Sequence, residues 1–373
     1  MSRHARIAFH TTLNAFDDHG ISGDRRMARQ LVDALRRLGH AVEPTLSPRT
    51  WMAAPDSDAF AAHRAAAAAH GEALLAHWER TGSPPTLWFS YHNYYRAPDL
   101  LGPGLAAQLG IPYVIAEASD AARRMDGPWA AQAICARAGI TAADVHFCFT
   151  ARDRDGVAPW LKPGARAIDL PPFLDGQASA KRPVGPRGDG PPGLVAVAMM
   201  RPGNKAESYL ALAGALARLV DLPWRLTLIG DGAMRREIEA AYAGFAPGRV
   251  IWRGALDRGE IAAAFAGNDV FVWPGLREAY GLVYLEAQAA GLPVVAFDSG
   301  GVPATVRPGE TALLVPEADE AAFAQALRRL LGDASLRGRM SAAAQAFVRE
   351  ERRSDHAMVI LAQGLAHVLA RRP

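Results

Sequence analysis

Residues 271–303, FVWPGLREAYGLVYLEAQAAGLPVVAFDSGGVP, carry the pattern on which the rest of the chain is read. Phe271-Val272-Trp273 has the make-up of a buried strand end, and Pro274-Gly275 breaks it. Residues 284–290 favour a helix that stops at Gly291-Leu292-Pro293, since glycine then proline ends helices. Val294-Val295-Ala296-Phe297 predicts the next strand. Two acids with seven residues between them fall in this strand-loop-helix unit: Glu278 in the loop and Glu286 about two turns into the helical region. In open α/β sheets such loops lie at the carboxyl ends of the strands, where ligands bind.

Outward from this unit, strand and helix patterns alternate along the chain. Residues 5–10 predict a first strand, 11–24 a polar loop, and 25–38 a helix ended by Gly39. An Ala-rich helix over 53–78 precedes a strand at 86–90, whose exit carries Tyr91-His92-Asn93-Tyr94-Tyr95-Arg96. Aromatic and hydrogen-bonding groups there suit a sugar or polyprenyl acceptor, and equally a well-packed loop. Strands at 111–115, 145–150 and 167–170 complete a first sheet, with Glu117 just past the first of these. Residues 176–193, crowded with Pro, Gly, Arg and Lys, read as a domain boundary. The next strand, 194–200, is apolar enough for burial on both faces, and Arg201 and Lys205 stand at its exit.

Composition narrows the function. A chain of 373 residues fits two domains, and half of it is hydrophobic. A net charge of +3 with no Lys/Arg block gives no footprint for nucleic acid. Only Lys162, Lys181 and Lys205 are lysines, so each position carries information. Cys135 and Cys148 lack metal-ligand spacing and predict reduced thiols. With no signal-peptide pattern and no apolar run of membrane-spanning length, the expectation is a soluble cytoplasmic chain. The Arg-rich stretch 34–38 leaves peripheral contact with the inner face of the membrane open.

The acid pair, with Pro274 before it, Gly281 inside it and Gly291-Leu292-Pro293-Val294-Val295 after it, resembles glycosyltransferase family 4, the glycosyl transferases group 1. These are retaining enzymes of the GT-B architecture. The resemblance implies two Rossmann-like α/β domains facing each other across a cleft, with a C-terminal helix crossing back to the first. The expected parts are an acceptor-side domain at 1–175, a linker at 176–193, a nucleotide-sugar domain at 194–350 and the returning helix at 351–373. The implied activity moves a hexosyl group from a nucleoside-diphosphate sugar to a glycan, lipid or small-molecule acceptor, in bacterial cell-envelope polysaccharide synthesis, with no cofactor and no metal.

Carried over by position, the family roles put Glu278 beside the donor sugar and Glu286 on the nucleotide ribose. The amides of Gly281, Leu282 and Val283 would face the diphosphate, helped by the positive end of the helix dipole. Arg201 and Lys205 would stabilise the leaving diphosphate, a planar fork beside a point charge. The implied catalytic set is Arg201, Lys205 and Glu278. A Gly-Gly loop of the family stands here as Gly20-Ile21-Ser22-Gly23, in which Gly23 keeps close backbone approach to the donor. Where relatives carry a His, this chain has Glu117, which joins His92 and Asn93 as a candidate acceptor or sugar pocket. The alternatives are a nucleotide-sugar epimerase of the same architecture and a non-catalytic carbohydrate- or nucleotide-binding protein. The intact Arg201, Lys205, Glu278 and Glu286 disfavour the latter.

Overall fold

A computed structural model describes residues 4–14, 16, 22–176 and 190–370. Gly20, Ile21 and most of the expected linker lie outside the described residues. In chain order the first half runs β1 (Arg6–Thr11), α1 (Gly23–Arg37), β2 (Ala41–Pro44), α2 (Ser57–Thr81), β3 (Leu87–Asn93), α3 (Gly102–Leu109), β4 (Tyr113–Ala118), α4 (Ala130–Ala142), β5 (Val145–Cys148), α5 (Ala151–Val157) and β6 (Arg166–Asp169). The second runs β7 (Gly193–Val197), α6 (Asn204–Ala217), β8 (Arg225–Ile229), α7 (Arg235–Tyr242), β9 (Val250–Trp252), α8 (Arg258–Ala266), β10 (Val270–Val272), α9 (Leu282–Ala289), β11 (Val294–Asp298), β12 (Ala312–Pro316), α10 (Glu320–Gly332) and α11 (Ala334–Glu351). A last helix, α12 (Ser354–Leu369), completes the chain order.

The chain divides into two compact units: residues up to Pro171 together with those from Ser354 on, and Pro172–Arg353. Each holds a six-stranded, wholly parallel sheet, ordered β2-β1-β3-β4-β5-β6 and β12-β11-β10-β7-β8-β9. Counted from β7, the second order is the doubly wound one, and its direction reverses between β7 and β10. In the first sheet the reversal falls between β1 and β3.

Local chemistry explains the elements. Ser22, extended, caps α1 by accepting from the Arg25 amide at 3.2 Å, and Arg36 and Arg37 sit in the last turn, where the helix dipole favours cations. All seven residues of β3 are buried, as a central strand of a sheet covered on both faces requires. β3 runs three residues further than the sequence pattern predicts, so His92 is in the strand rather than in a loop. Asn93 closes the same strand. β4 likewise extends through Glu117. The Ala-rich pattern predicted a helix from 53, and α2 begins only at Ser57, after Asp56 caps the Asp58 and Ala59 amides.

The helix-compatible tail is broken at Arg352, and α12 beyond the break belongs to the first unit. In α12, Leu361, Gly364, Leu365 and Val368 are buried. The backbone of Gly364 runs so close to β5 that a Cβ there would come within 2.5 Å of the Phe147 ring. Arg37 of α1 ties the start of α12 through Ser354 at 3.0 Å and Asp355 at 2.8 Å. The second core is built on Leu194, Leu226, Leu228, Trp273, Tyr284, Phe297 and Phe323, all fully buried.

Candidate functional site

The loops leaving β7 and β10 meet at the switch point of the second sheet, and their backbones are held by glycines with no room for a side chain. A Cβ on Gly230 would overlap the Ala198 carbonyl, and one on Gly232 the Met200 carbonyl, so the Gly230-Asp231-Gly232 turn braces the exit of β7. Met200 in turn donates to the Asp231 carbonyl at 2.9 Å. Gly203, at φ 80°, then opens α6. After β10, Gly275 is left-handed at φ 68° and lies against the Tyr284 hydroxyl.

These turns put Lys205, on the first turn of α6, in direct ion pair with Glu278 of the β10–α9 loop. Both side chains are largely buried, at 29% and 16% exposure, so solvent screens the pair less than it would at a surface. The Lys205 ammonium also lies 5.7 Å from the centroid of the buried Trp273 ring. Gly281, at φ 77°, precedes α9, and no side chain caps that helix. The Leu282 and Val283 amides of its first turn are therefore open to an anion at the positive end of the dipole, whereas the Tyr284 amide already donates to the Gly281 carbonyl at 3.1 Å. Glu286 is half-buried one turn further along α9 and has its own partners. Arg201 is exposed, and among the described residues its guanidinium enters no ion pair. α9 starts at Leu282, two residues before the sequence pattern predicts, and Glu286 is its fifth residue, just over one turn in rather than about two.

Sequence reading missed the residues that hold this loop. Arg277, left-handed at φ 50°, donates its amide to Ser299 Oγ at 2.7 Å. Its guanidinium reaches Asn204 Oδ1 at 2.8 Å and pairs with Glu207. The Leu276 amide donates to Ser208 Oγ at 3.0 Å. Gly300 packs against the Glu278 carbonyl with no space for a Cβ, and the Gly301 amide donates to that carbonyl at 2.9 Å. The turn 299–303 therefore fixes the Glu278 backbone. Alternation of Gly with small polar residues signals a tight turn, but not what it touches.

The remaining candidates lie in the first unit. Gly23 is the first residue of α1, with open space where its Cβ would be. His92 and Glu117 are the penultimate residues of neighbouring strands and adopt left-handed conformations, φ 71° and 60°, which cost non-glycine residues about 1–3 kcal/mol each. His92 Nδ1 is 3.3 Å from Glu117 Oε2, and its Nε2 is 3.9 Å from Asp24 Oδ1. Burial drives the imidazole down to about 3. Burial first, then Asp24 and Asp153, drives the Glu117 carboxyl well up, so burial works against the charged form of both partners. The structure takes Asn93 away from this pair. Its amide is fully buried, giving a hydrogen to the Ala136 carbonyl at 2.8 Å and accepting one from the Asp99 amide at 3.0 Å. Among the described residues, no three His, Cys, Asp or Glu side chains are grouped to hold a metal ion, and no helix is long and apolar enough to cross a membrane.

Two Rossmann-like units, each a doubly wound parallel sheet, define the GT-B class of α/β architecture, and known structures agree. Sucrose-phosphate synthase from Thermosynechococcus elongatus superposes with a TM-score of 0.76 at 20% identity, covering 98% of this chain and 100% of that one. HepE of Anabaena, solved with UDP-glucose, gives a TM-score of 0.67 at 14% identity, covering 97% and 100%. In sequence, the sulfoquinovosyl transferase of Arabidopsis thaliana is 37% identical over 116 residues, 30% of this chain and 22% of that protein. The match thus spans about a fifth of that relative's length. Residues 191–333 match the family model described as glycosyl transferases group 1. The matched segment carries Arg201, Lys205, Glu278 and Glu286.

Proposed function

We propose that the protein is a retaining glycosyltransferase that moves a hexosyl group from a nucleoside-diphosphate sugar to an acceptor without a bound metal. The observation that carries the reading is the convergence of Lys205 and Glu278 at the β7/β10 switch point, inside the segment matched to the family. Related names point the same way: one relative transfers a sulfoquinovosyl group, and HepE holds UDP-glucose. Cleavage of the donor leaves a diphosphate with growing negative charge, which fixed cations stabilise best when they need not reorganise. Lys205, rooted on α6, and Arg201 beside it supply those cations, and the open amides of α9 add dipoles. Donor binding draws Lys205 from Glu278 to phosphate before the sugar bond breaks, so the cation is already in position during cleavage and Glu278 is freed to bind sugar hydroxyls. Glu286 accepts from the ribose. The acceptor oxygen bonds to the anomeric carbon on the face from which the diphosphate leaves, a leaving-group oxygen takes the acceptor proton, and retention on this route needs no side-chain nucleophile.

The test is calorimetry with UDP, GDP, ADP and their sugars, followed by transfer and donor-hydrolysis assays with and without EDTA. One nucleoside diphosphate is expected to bind, its sugar to be turned over with retention, and EDTA to leave the rate within about twofold. No binding of any nucleotide sugar would overturn the reading. Loss of transfer in EDTA, restored by magnesium or manganese, would overturn its metal-free form.

A further inference from the structure

At the carboxyl end of the first sheet, β3 leaves through a tight turn in which the Tyr94 and Ala97 amides and carbonyls pair at 3.4 and 2.9 Å. The Met52 amide donates to the Arg96 carbonyl at 2.8 Å and pins the turn. Tyr95 stands edge-on to Trp129, with centroids 5.1 Å apart, and both pack on Met52 and Phe60. Two guanidinium groups rest on this aromatic pair. Arg96 is 5.7 Å from the Tyr95 centroid and 5.6 Å from that of Trp129, and Arg124 is 5.6 Å from Tyr95. Arg96 Nε donates to the Tyr95 hydroxyl at 3.1 Å.

Neither arginine is ion-paired among the described residues. Of the acids close by in sequence, Asp99 is buried and accepts from Leu101, Gly102 and Tyr113, Asp120 holds Arg137 at 2.9 and 3.0 Å, and exposed Asp126, two residues past Arg124, pairs with neither arginine. Exposed Arg123 adds a third positive charge next to Arg124. Two cations held against one tyrosine ring repel each other, and the ring offsets that repulsion only in part. An anion between them would remove it.

We propose that Arg96 and Arg124, seated on Tyr95 and Trp129, form a subsite for a phosphate group on the acceptor. Guanidinium forks match phosphate oxygens in pairs, and stacking on rigid rings leaves less side-chain freedom to lose on binding. The place is right for a ligand, since it lies at the strand ends of an open α/β sheet. The assignment of the phosphate to the acceptor rests on the glycosyl-transfer reading, whereas anion binding here does not. The phosphate can come from a soluble sugar phosphate or from the headgroup of an anionic lipid.

The experiment titrates the full chain, with saturating UDP to fill the donor site, against glucose 6-phosphate and glucose. In parallel it measures co-sedimentation with phosphatidylcholine vesicles, with and without phosphatidylglycerol. Glucose 6-phosphate is expected to bind where glucose does not. Arg96→Gln and Arg124→Gln should each weaken that binding on the order of tenfold, and Arg96→Lys, which keeps charge without the fork, should weaken it less. Binding to the anionic vesicles alone, lost in the same glutamine variants, assigns the site to a lipid headgroup. Glutamine variants that match wild type on both probes, or a wild type that binds neither, overturn the proposal. UDP affinity, measured separately, reports on the donor reading and is expected to be the same in all variants.

Discussion

Lys205 and Glu278 neutralise each other in the unliganded protein, and that contact decides what each substitution should do. In the proposed reaction Lys205→Ala removes a cation that stabilises the leaving diphosphate, and transfer is expected to fall by on the order of 3 kcal/mol of transition-state stabilisation. Glu278→Ala releases Lys205 to the phosphates, so bare nucleotide affinity should hold or rise while transfer drops. Glu286→Ala should instead weaken nucleotide binding by roughly 1.5–3 kcal/mol through its lost charged hydrogen bonds. Calorimetry that found equal losses of affinity for Glu278→Ala and Glu286→Ala would remove this division of labour. His146 on β5 is buried, its Nε2 on the Ile140 carbonyl at 2.9 Å, and burial holds it at about 4 against an ordinary 6.5. Below 6.5 the unfolded chain takes up a proton that the folded chain refuses. The stability from this group is therefore complete above 6.5 and lost as pH falls through 4. Between pH 7.5 and 4.5 wild type should lose about 2–3 kcal/mol more than His146→Gln does, measured by urea unfolding. Parallel pH profiles would show that the imidazole is not held neutral.

The β10–α9 loop depends on glycines at φ 68°, 77° and 57°, of which Gly300 faces the Glu278 carbonyl. Gly300→Ala should cost about 1–3 kcal/mol, since it combines a left-handed alanine with the overlap, and should depress transfer more than nucleotide binding. A variant within about 0.5 kcal/mol of wild type in thermal unfolding, with unchanged turnover, would show that the loop does not rely on this close approach. How far such a loop can be read beforehand depends on what kind of signal places each part. Strand, break and helix were legible around Glu278 because apolar runs and Pro-Gly breaks are local. So was the placement of Arg201 and Lys205 after a buried strand, although β7 ends at Val197 rather than at 200 and Lys205 already lies on α6. The clasp made by Arg277, Asn204 and Glu207 was not legible, because it joins residues about 70 positions apart through exposed groups with no periodicity. Asn93 misled for a related reason. A polar residue at a strand's end reads as ligand-facing, and only the packing of α4 over it shows that its amide serves backbone groups instead.

At the scale of the molecule, the two units have separate cores, and α12 belongs to the first although the chain reaches it only after completing the second. Leu361→Ala in α12 and Ile115→Ala in β4 should therefore lower the same calorimetric transition, each by about 2–5 kcal/mol, while Leu228→Ala lowers another. If Leu361→Ala moved the transition that Leu228→Ala moves, the assignment of α12 would be wrong. The double sheet was visible in the alternation of strands and helices, whereas the break at Arg352 that sends α12 back carries neither Gly nor Pro to mark it. The notch that Gly364 cuts for Phe147 has a consequence during synthesis. On the ribosome the β5–β6 face is made first and must wait for residues 172–353 to be translated before its cover arrives, roughly 10 to 40 seconds at ordinary elongation rates. For that interval Phe147 and its neighbours are an unfinished apolar surface, and the nascent chain is open to capture by chaperones or by another copy of itself.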